Sequence, residues 1–182
     1  MAYLIRKDVN AYGSVDAPED PVPIRVVVDH DWLHVPFPAL ASIVTFEWEP
    51  GEAGEKPDVF WYPKMWDWVC AQKAYDVLMG AAAADLHLIA EGRLDGEPVF
   101  LVQVVTVLND VVDREHSIIE RYPTYEVLQF PAFFRSAAPT VASRIFRVPG
   151  SHFKVFMGET VKQALDTAGI KGFLYVPVDW SE

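Results

Sequence analysis

The chain has 182 residues, of which 51% are hydrophobic, 13% aromatic and 23% charged, and its net charge is −11 at pH 7. This length and composition predict a single domain over residues 1–182 with a sizeable core, and they exclude a disordered protein. The negative charge argues against nucleic-acid binding, which depends on Lys and Arg neutralising phosphates, and it permits a basic protein partner.

Two features favour a cytoplasmic protein. The first residues include Arg6, Lys7 and Asp8, where a signal peptide would need an apolar stretch. A lone cysteine, Cys70, cannot form an internal disulfide and fits a reducing compartment. The longest apolar run, residues 98–108, has the length of a strand and is too short to cross a bilayer, so no membrane association is predicted.

Residues 1–60 are irregular and rich in proline. Residues 2–6 are predicted to form an edge strand, and residues 24–28 a second strand because they include three consecutive valines. Residues 43–48 alternate in polarity with a period of two, which predicts a strand with one buried face. A loop is expected over residues 49–57, where two glycines interrupt the pattern.

The middle of the chain predicts a helix followed by a hairpin. The helix spans residues 67–79, with Asp67 as its N-cap and Gly80 past its end. Two apolar runs, residues 86–94 and 98–108, flank Asp95-Gly96, and this dipeptide favours a type I′ hairpin turn. The second run is apolar on both faces, so we expect it in the middle of the sheet.

The C-terminal part predicts further strands and a second helix. The helix spans residues 160–168, has an apolar i, i+3, i+4, i+7 stripe and ends at Gly169. The strands are predicted over residues 125–130, 144–148, 153–157 and 173–178. The predicted fold class is α+β, a strand-rich, mixed and mostly antiparallel sheet with two main helices.

His30 and His34 have the spacing of a zinc-protease motif, with Asp31 in place of the usual glutamate. That chemistry needs both histidines on one helical face. Three valines precede the motif and Val35-Pro36 follows it, so a helix is unfavourable there and no third ligand is evident. We predict a strand end or loop, with no metal and no cofactor, and keep a metal-dependent hydrolase as an alternative.

Asp113, His116 and Ser117 are the residue types of a hydrolase triad. Side chains this close along a chain rarely point at one another, so we predict that Asp113 and Ser117 instead bond to backbone groups and cap a turn. Cys70 lies on the apolar face of the predicted helix and is expected to be a core residue. The sequence therefore predicts a protein that is not an enzyme, with no catalytic residue.

One segment has the composition of a protein-binding surface, with carboxylates followed at once by aromatic side chains. Aromatic anchors beside a charged rim are common in interfaces, whereas the alternative is a solvated acidic loop followed by aromatic residues that fill the core. The core interpretation is favoured for most of the aromatic residues, which are Phe60, Trp61, Tyr62, Trp66 and Trp68. The predicted partner-binding residues are Glu47, Glu49, Glu52, Glu55, Asp58 and Trp66.

An ordered string of motifs runs through the second half of the chain. Leu-Asn-Asp-Val-Val-Asp at 108–113 is followed by Ser117, then by Arg-Ile-Phe-Arg at 144–147, and Ala-Gly-Ile-Lys-Gly-Phe at 168–173 comes near the end. Together with the predicted helix and hairpin, these motifs resemble the immunity proteins of bacterial polymorphic toxin systems, in particular the immunity protein 11 type. The resemblance covers residues 65–178, departs from the family pattern over 120–143, and does not extend to residues 1–60.

The resemblance implies a cytoplasmic inhibitor that binds a cognate toxin and covers its active or substrate-binding surface. Given the net charge, we expect the toxin domain to have a basic face. The alternatives left open are a small metal-dependent hydrolase that uses His30 and His34 and a housekeeping protein-binding domain. The sequence leaves the oligomeric state open.

Overall fold

The computed structural model describes residues 1–7, 9–17, 36–62, 67–151 and 154–182. Its strands are β1 Ala2–Lys7, β2 Ser14–Asp16, β3 Val44–Glu49, β4 Val59–Tyr62, β5 Asp67–Ala71, β6 Leu86–Leu94, β7 Glu97–Val104, β8 Val112–Arg121, β9 Glu126–Phe134, β10 Ile145–Phe146, β11 Val155–Gly158, β12 Phe173–Pro177 and β13 Asp179–Ser181. Its α-helices are α1 Val9–Tyr12, α2 Gln72–Ala82, α3 Ala138–Val141 and α4 Glu159–Thr167. The fold is α+β and strand-rich, with α2 and α4 as the longest helices described, so the predicted class is confirmed.

A six-stranded sheet has the order β2-β3-β6-β7-β5-β4 and is antiparallel except where β3 pairs with β6. Asp95 and Gly96 both have positive φ, 53° and 85°, so the predicted hairpin turn is confirmed. β7 lies between β6 and β5, as its apolar character on both faces predicts, but it ends at Val104. β3 buries Val44 and Phe46 and exposes the residues between, which confirms the predicted alternation.

A four-stranded antiparallel sheet has the order β10-β11-β1-β12. β1 is therefore an inner strand, and the prediction of an edge strand was wrong because both of its neighbours come from the C-terminal part of the chain. Its side chains alternate between two cores: Tyr3 and Ile5 on one face, Ala2 and Leu4 on the other. This sheet consequently forms the middle layer of the molecule.

Three cores surround the two larger sheets. The first lies between the four-stranded sheet, helices α2 and α4, and one face of the six-stranded sheet, and it contains Met157 and Leu78. The second covers the other face of the six-stranded sheet around Phe46 and Leu101. The third joins the four-stranded sheet to a three-stranded sheet, order β13-β9-β8, through the rings of Phe133 and Phe156.

The start of the first main helix differs from the prediction. Residues 67–71 form strand β5, and α2 begins only at Gln72. β5 pairs with β4 on one side and β7 on the other, with Trp68 opposite Trp61 and Val102. These pairings override the helical pattern of the segment, and Cys70 is buried in a strand and not on a helix.

The remaining predicted elements are mostly confirmed with shifted ends. Helix α4 and the positive φ of Gly169, 65°, match the predicted helix and its C-cap. β9 continues to Phe134, beyond the predicted end, whereas β10 comprises only two residues. The strand predicted over residues 24–28 lies outside the described residues.

A buried carboxylate connects three segments of the fold. Asp85 has only 1% of its surface exposed and accepts hydrogen bonds from Arg144 Nε at 2.8 Å and Nη2 at 2.6 Å. It also accepts bonds from the Thr106 hydroxyl at 2.6 Å and the Ile145 N–H at 2.8 Å. Asp85 thereby joins the start of β6, the end of β7 and the start of β10.

We expect Asp85→Ala to lower the free energy of unfolding by about 3 to 5 kcal/mol, because it leaves the donors around this site without an acceptor. Lys56→Ala removes the exposed Lys56–Asp95 pair and should cost less than about 1 kcal/mol. Urea denaturation of both variants tests this expectation. Equal losses in the two variants would contradict the importance assigned to Asp85.

Candidate protein-binding surface

The predicted acidic surface begins on the solvent face of β3. Glu47 and Glu49 alternate with the inward-facing Phe46 and the half-buried Trp48, so both carboxylates are exposed. Glu52 follows in the loop and is exposed as well. Among the described residues, no ion pair or hydrogen bond engages these three carboxylates. Glu47, Glu49 and Glu52 are hereafter called the acidic face.

The other two predicted acidic residues are engaged by the C-terminal part of the chain. Glu55 forms an ion pair with Lys171, and this pair raises the pKa of the lysine. Asp58 accepts a hydrogen bond from the Lys171 N–H at 2.9 Å, while the Lys171 carbonyl accepts one from the Asp58 N–H at 3.1 Å. Glu55 and Asp58 therefore hold the loop against the C-terminal part of the chain. Because both carboxylates contact Lys171, they are only partly available to a partner.

Further contacts hold the same loop from the N-terminal side. The indole N–H of Trp48 donates to the Tyr12 carbonyl at 2.9 Å, and the Ala53 N–H donates to the Ala11 carbonyl at 3.1 Å. Lys56, the one basic residue of the loop, pairs with Asp95 at 2.7 Å. The acidic face is thus presented by a strand and a loop that is fixed at both ends.

The aromatic residues after the loop fill the core where they are described. Phe60, Tyr62 and Trp68 are almost fully buried, and Trp61 is partly buried against the first core. The core interpretation is confirmed for these residues. Trp66, the aromatic residue predicted to bind a partner, lies outside the described residues.

The residue types of a hydrolase triad are closer together than we predicted. His116 Nδ1 lies 2.6 Å from Asp113 Oδ2, so the expectation that these side chains would not meet was wrong. They meet because residues 114–117 of β8 lie opposite a single residue of β9, so the backbone bulges out of the ladder between Asp113 and Ile118. The Ser117 hydroxyl does not join them, since it donates to the Asp113 carbonyl and accepts from the Ala132 N–H.

Asp113 also has the structural role that the sequence predicts. Its carboxylate accepts from the backbone N–H groups of Glu115 and His116 at 3.0 and 3.3 Å. A hydrogen bond from Ser181, together with those from His116 and the backbone, lowers the pKa of Asp113 to about 2. The bonds to backbone predicted for Asp113 and Ser117 are confirmed, but they stabilise an irregularity within β8 and not a turn.

Cys70 and His87 are the other candidate residues that the structure describes, and both have structural surroundings. Burial raises the pKa of the Cys70 thiol, which disfavours its reactive thiolate form. His87 Nε2 lies 2.7 Å from the Phe37 carbonyl and helps hold the segment before β3. His30, His34 and His152 lie outside the described residues. Within the described ranges, no three His, Cys, Asp or Glu side chains are grouped to hold a metal ion.

Sequence reasoning missed one exposed surface, on the β8–β9 hairpin. Five large apolar side chains are exposed there: Ile118, Tyr122, Tyr125, Phe130 and Phe134. The sequence contained one signal for this surface, which is the large number of apolar residues among the charged residues of segment 112–134. The alternation of this segment did not reveal it, because the irregular pairing changes which residues face outward.

None of the helices in the described residues is long and apolar enough to cross a membrane. No protein-family model matches the chain, and no curated protein is significantly similar to it. The resemblance to immunity proteins therefore stays a prediction.

Gly172 is expected to be required for the position of the loop at residues 50–58. Its φ is 119°, and a Cβ atom added there would lie 2.2 Å from the Val59 carbonyl oxygen, beside the Lys171 junction. We expect Gly172→Ala to destabilise the protein by about 2 to 3 kcal/mol. Gly54→Ala, at a φ of 60° in open space, should cost about 1 kcal/mol. Thermal denaturation compares the stability of the two variants. An equal loss of stability in both would contradict the close contact between Gly172 and the Val59 carbonyl.

The depressed pKa of Asp113 predicts a loss of stability in acid. A carboxyl group whose pKa is lower in the folded than in the unfolded state stabilises the fold fully only above its unfolded value, about 3.9. The advantage of the wild type over Asp113→Asn should therefore be constant at neutral pH. It should shrink as the pH falls from about 4 toward the folded pKa of about 2. Denaturation of both proteins across this range measures the difference, and a pH-independent difference would contradict the assignment.

Proposed function

We propose that this chain is an immunity protein, which binds the toxic domain of a cognate bacterial toxin and covers its active or substrate-binding surface. The observation that carries the proposal is the acidic face, three exposed carboxylates without ion-pair partners among the described residues, on a chain with a net charge of −11. The order of motifs in residues 65–178 supports the same class of protein. The proposed function requires binding alone and no catalysis.

The physical mechanism is electrostatic attraction followed by steric exclusion. A protein of this charge attracts a basic partner over a distance of about one Debye length, about 8 Å at physiological ionic strength, and speeds the encounter. Opposite potentials then favour one orientation of the complex. A toxin that acts on nucleic acid has a basic cleft for phosphates, and carboxylates such as Glu47 and Glu49 would compete for the same positive charges.

The anchoring of the loop supports tight binding. Glu52 belongs to a segment held by Tyr12 on one side and Lys171 on the other. A surface that is already ordered loses little conformational entropy on association, so more of the interaction energy is available as affinity. We propose that the complex forms in the cytoplasm, where an inhibitor can protect the cell that makes the toxin.

The first experiment is to capture the protein from its native cells and identify the bound proteins by mass spectrometry. We expect a stoichiometric complex with the C-terminal domain of a large secreted protein, and the complex should weaken as salt is added. Failure to capture any partner from cells that express an adjacent toxin gene would contradict the proposal. Stoichiometric zinc in the purified protein would instead favour a hydrolase that uses His30 and His34.

Charge reversal tests which surface binds the captured toxin domain. The triple variant Glu47→Lys, Glu49→Lys and Glu52→Lys should weaken binding by about 100-fold, because like charges would then face each other. The control Asp110→Lys, Asp179→Lys and Glu182→Lys changes the net charge equally at other exposed positions and should retain most of the affinity.

Titration calorimetry at low and high salt provides the measurement for both triple variants. The wild type and the control should lose affinity with salt in parallel, whereas the acidic-face variant should respond little. Equal losses of affinity in the two variants would show that net charge and not the acidic face determines binding, and would refute this surface as the site.

A further inference from the structure

A pocket of about 450 Å³ lies at the surface between the turn at residues 107–111 and the helical segment at residues 135–141. Its volume is within the range of small-molecule sites, which is about 300–1,000 Å³. Val111 and Ala137 line the pocket and are buried in the third core, so part of the lining is apolar. The pocket therefore has the size and the mixed lining that a small ligand needs.

Both walls of the pocket are held by the fold. In the first wall, the Leu108 N–H donates to the Arg147 carbonyl at 3.0 Å, and the Val111 carbonyl accepts from the Phe134 N–H at 3.0 Å. In the second wall, Val141 anchors the helical segment because its side chain is fully buried in the third core. Since these walls are already ordered, a ligand that binds between them loses little of its binding energy to ordering the chain.

Four polar side chains line the pocket, two on each wall: Asn109, Asp110, Ser136 and Thr140. Asn and Asp side chains in a turn often accept a backbone N–H, and Ser and Thr side chains in a helix often donate to a carbonyl one turn earlier. In the part of the chain that the structure describes, none of the four makes such a hydrogen bond or an ion pair. The turn and the helix therefore do not explain these side chains, and their polar groups are available to a ligand.

The lining determines the charge of the ligand. Asp110 is the one ionisable residue among the eight described residues that line the pocket, and each of the four polar side chains offers an oxygen acceptor. A positively charged ligand with several N–H donors matches this lining. A metal ion does not, because Ca²⁺ binds about six to eight oxygen atoms, usually from several carboxylates. The pocket is also much larger than an ion requires.

The chemistry of the lining favours a guanidinium over other cations. A guanidinium is planar and has five N–H donors, so two of them can pair with one carboxylate while the others reach hydroxyl or amide oxygens. The side chains of Val107 and Leu108 provide apolar contacts for methylene groups. A carboxylate on the ligand would find no basic partner in the lining and would be repelled by Asp110.

We infer that this pocket binds a small alkylguanidine without a carboxylate group, whose guanidinium pairs with the Asp110 carboxylate. The oxygen atoms of Asn109, Ser136 and Thr140 accept its remaining N–H groups. The net charge of −11 raises the local concentration of such a cation around the whole protein, and the pocket provides the specific site.

Titration with agmatine, which is (4-aminobutyl)guanidine, tests the inference when the amide chemical shifts of the protein are followed by NMR. The shifts should saturate with a Kd of about 1 mM or below, and the largest should occur at residues 107–111 and 136–140. Putrescine is the matched control ligand, because it has the same chain and charge with an ammonium in place of the guanidinium. It should bind about tenfold more weakly.

Two variants test the role of the carboxylate. Asp110→Asn should raise the Kd of agmatine at least about tenfold, because it removes the charge from the bidentate pair. Asp110 is exposed and makes no contact that holds the turn, so this variant should fold like the wild type. Glu47→Gln makes the same change in net charge on the acidic face and should leave the Kd unchanged.

Three results would overturn the proposal. Shifts that do not saturate, or that occur mainly around Glu47, Glu49 and Glu52, would show only diffuse attraction of a cation to an acidic protein. An unchanged Kd in Asp110→Asn would refute the pairing with this carboxylate. Equal affinities for agmatine and putrescine would refute the preference for a guanidinium.

This inference is independent of the proposed function. The pocket lies beside the third core, whereas the acidic face lies on the six-stranded sheet and its loop. A protein that captures a toxin but does not bind agmatine refutes the pocket alone. A protein that binds agmatine but captures no toxin refutes the proposed function alone.

Discussion

The buried carboxylate of Asp85 is the constraint on which the rest of the structure depends. A charge with 1% of its surface exposed is costly unless it is paired, and Arg144, Thr106 and the Ile145 N–H together satisfy it. Backbone hydrogen bonds join the same segments, from the Val105 N–H to the Asp85 carbonyl and from the Arg147 N–H to the Thr106 carbonyl, both at 2.9 Å. Directional bonds to one carboxylate set how the ends of β6 and β7 meet the start of β10, and so how the six-stranded and four-stranded sheets are joined.

The features that could be predicted from the sequence are the local ones. The Asp95-Gly96 turn, the amphipathic helix α4 and the alternation of β3 each depend on a few neighbouring residues, and each is present in the structure. The alternation predicted over residues 43–48 also indicated the exposure of Glu47. In contrast, the hydrogen bond between Lys171 and Asp58 joins residues 113 positions apart, so no local sequence pattern could predict it.

The wrong predictions share a physical cause, which is pairing between distant segments. Residues 67–71 have a helical pattern but gain more from two strand neighbours. β1 was assigned to an edge because its C-terminal partners cannot be identified from its own sequence. The contact between Asp113 and His116 requires an irregular ladder, and the same irregularity exposes the apolar residues of the hairpin. Local sequence patterns therefore predicted which residues are buried or exposed within one element, but they did not predict which distant segments pair.

The inner position of β1 has a consequence for biosynthesis. Tyr3 pairs with Met157 and Pro177, so the middle layer cannot close until almost all of the 182 residues have been synthesised. Contacts this distant in sequence are slow to form, because the entropy of closing the loop is lost before the pairing compensates for it. The nascent chain must keep an apolar strand unpaired while the intervening residues emerge from the ribosome. Closure of the central sheet consequently waits for β11 and β12, and these two strands determine when β1 becomes protected from aggregation.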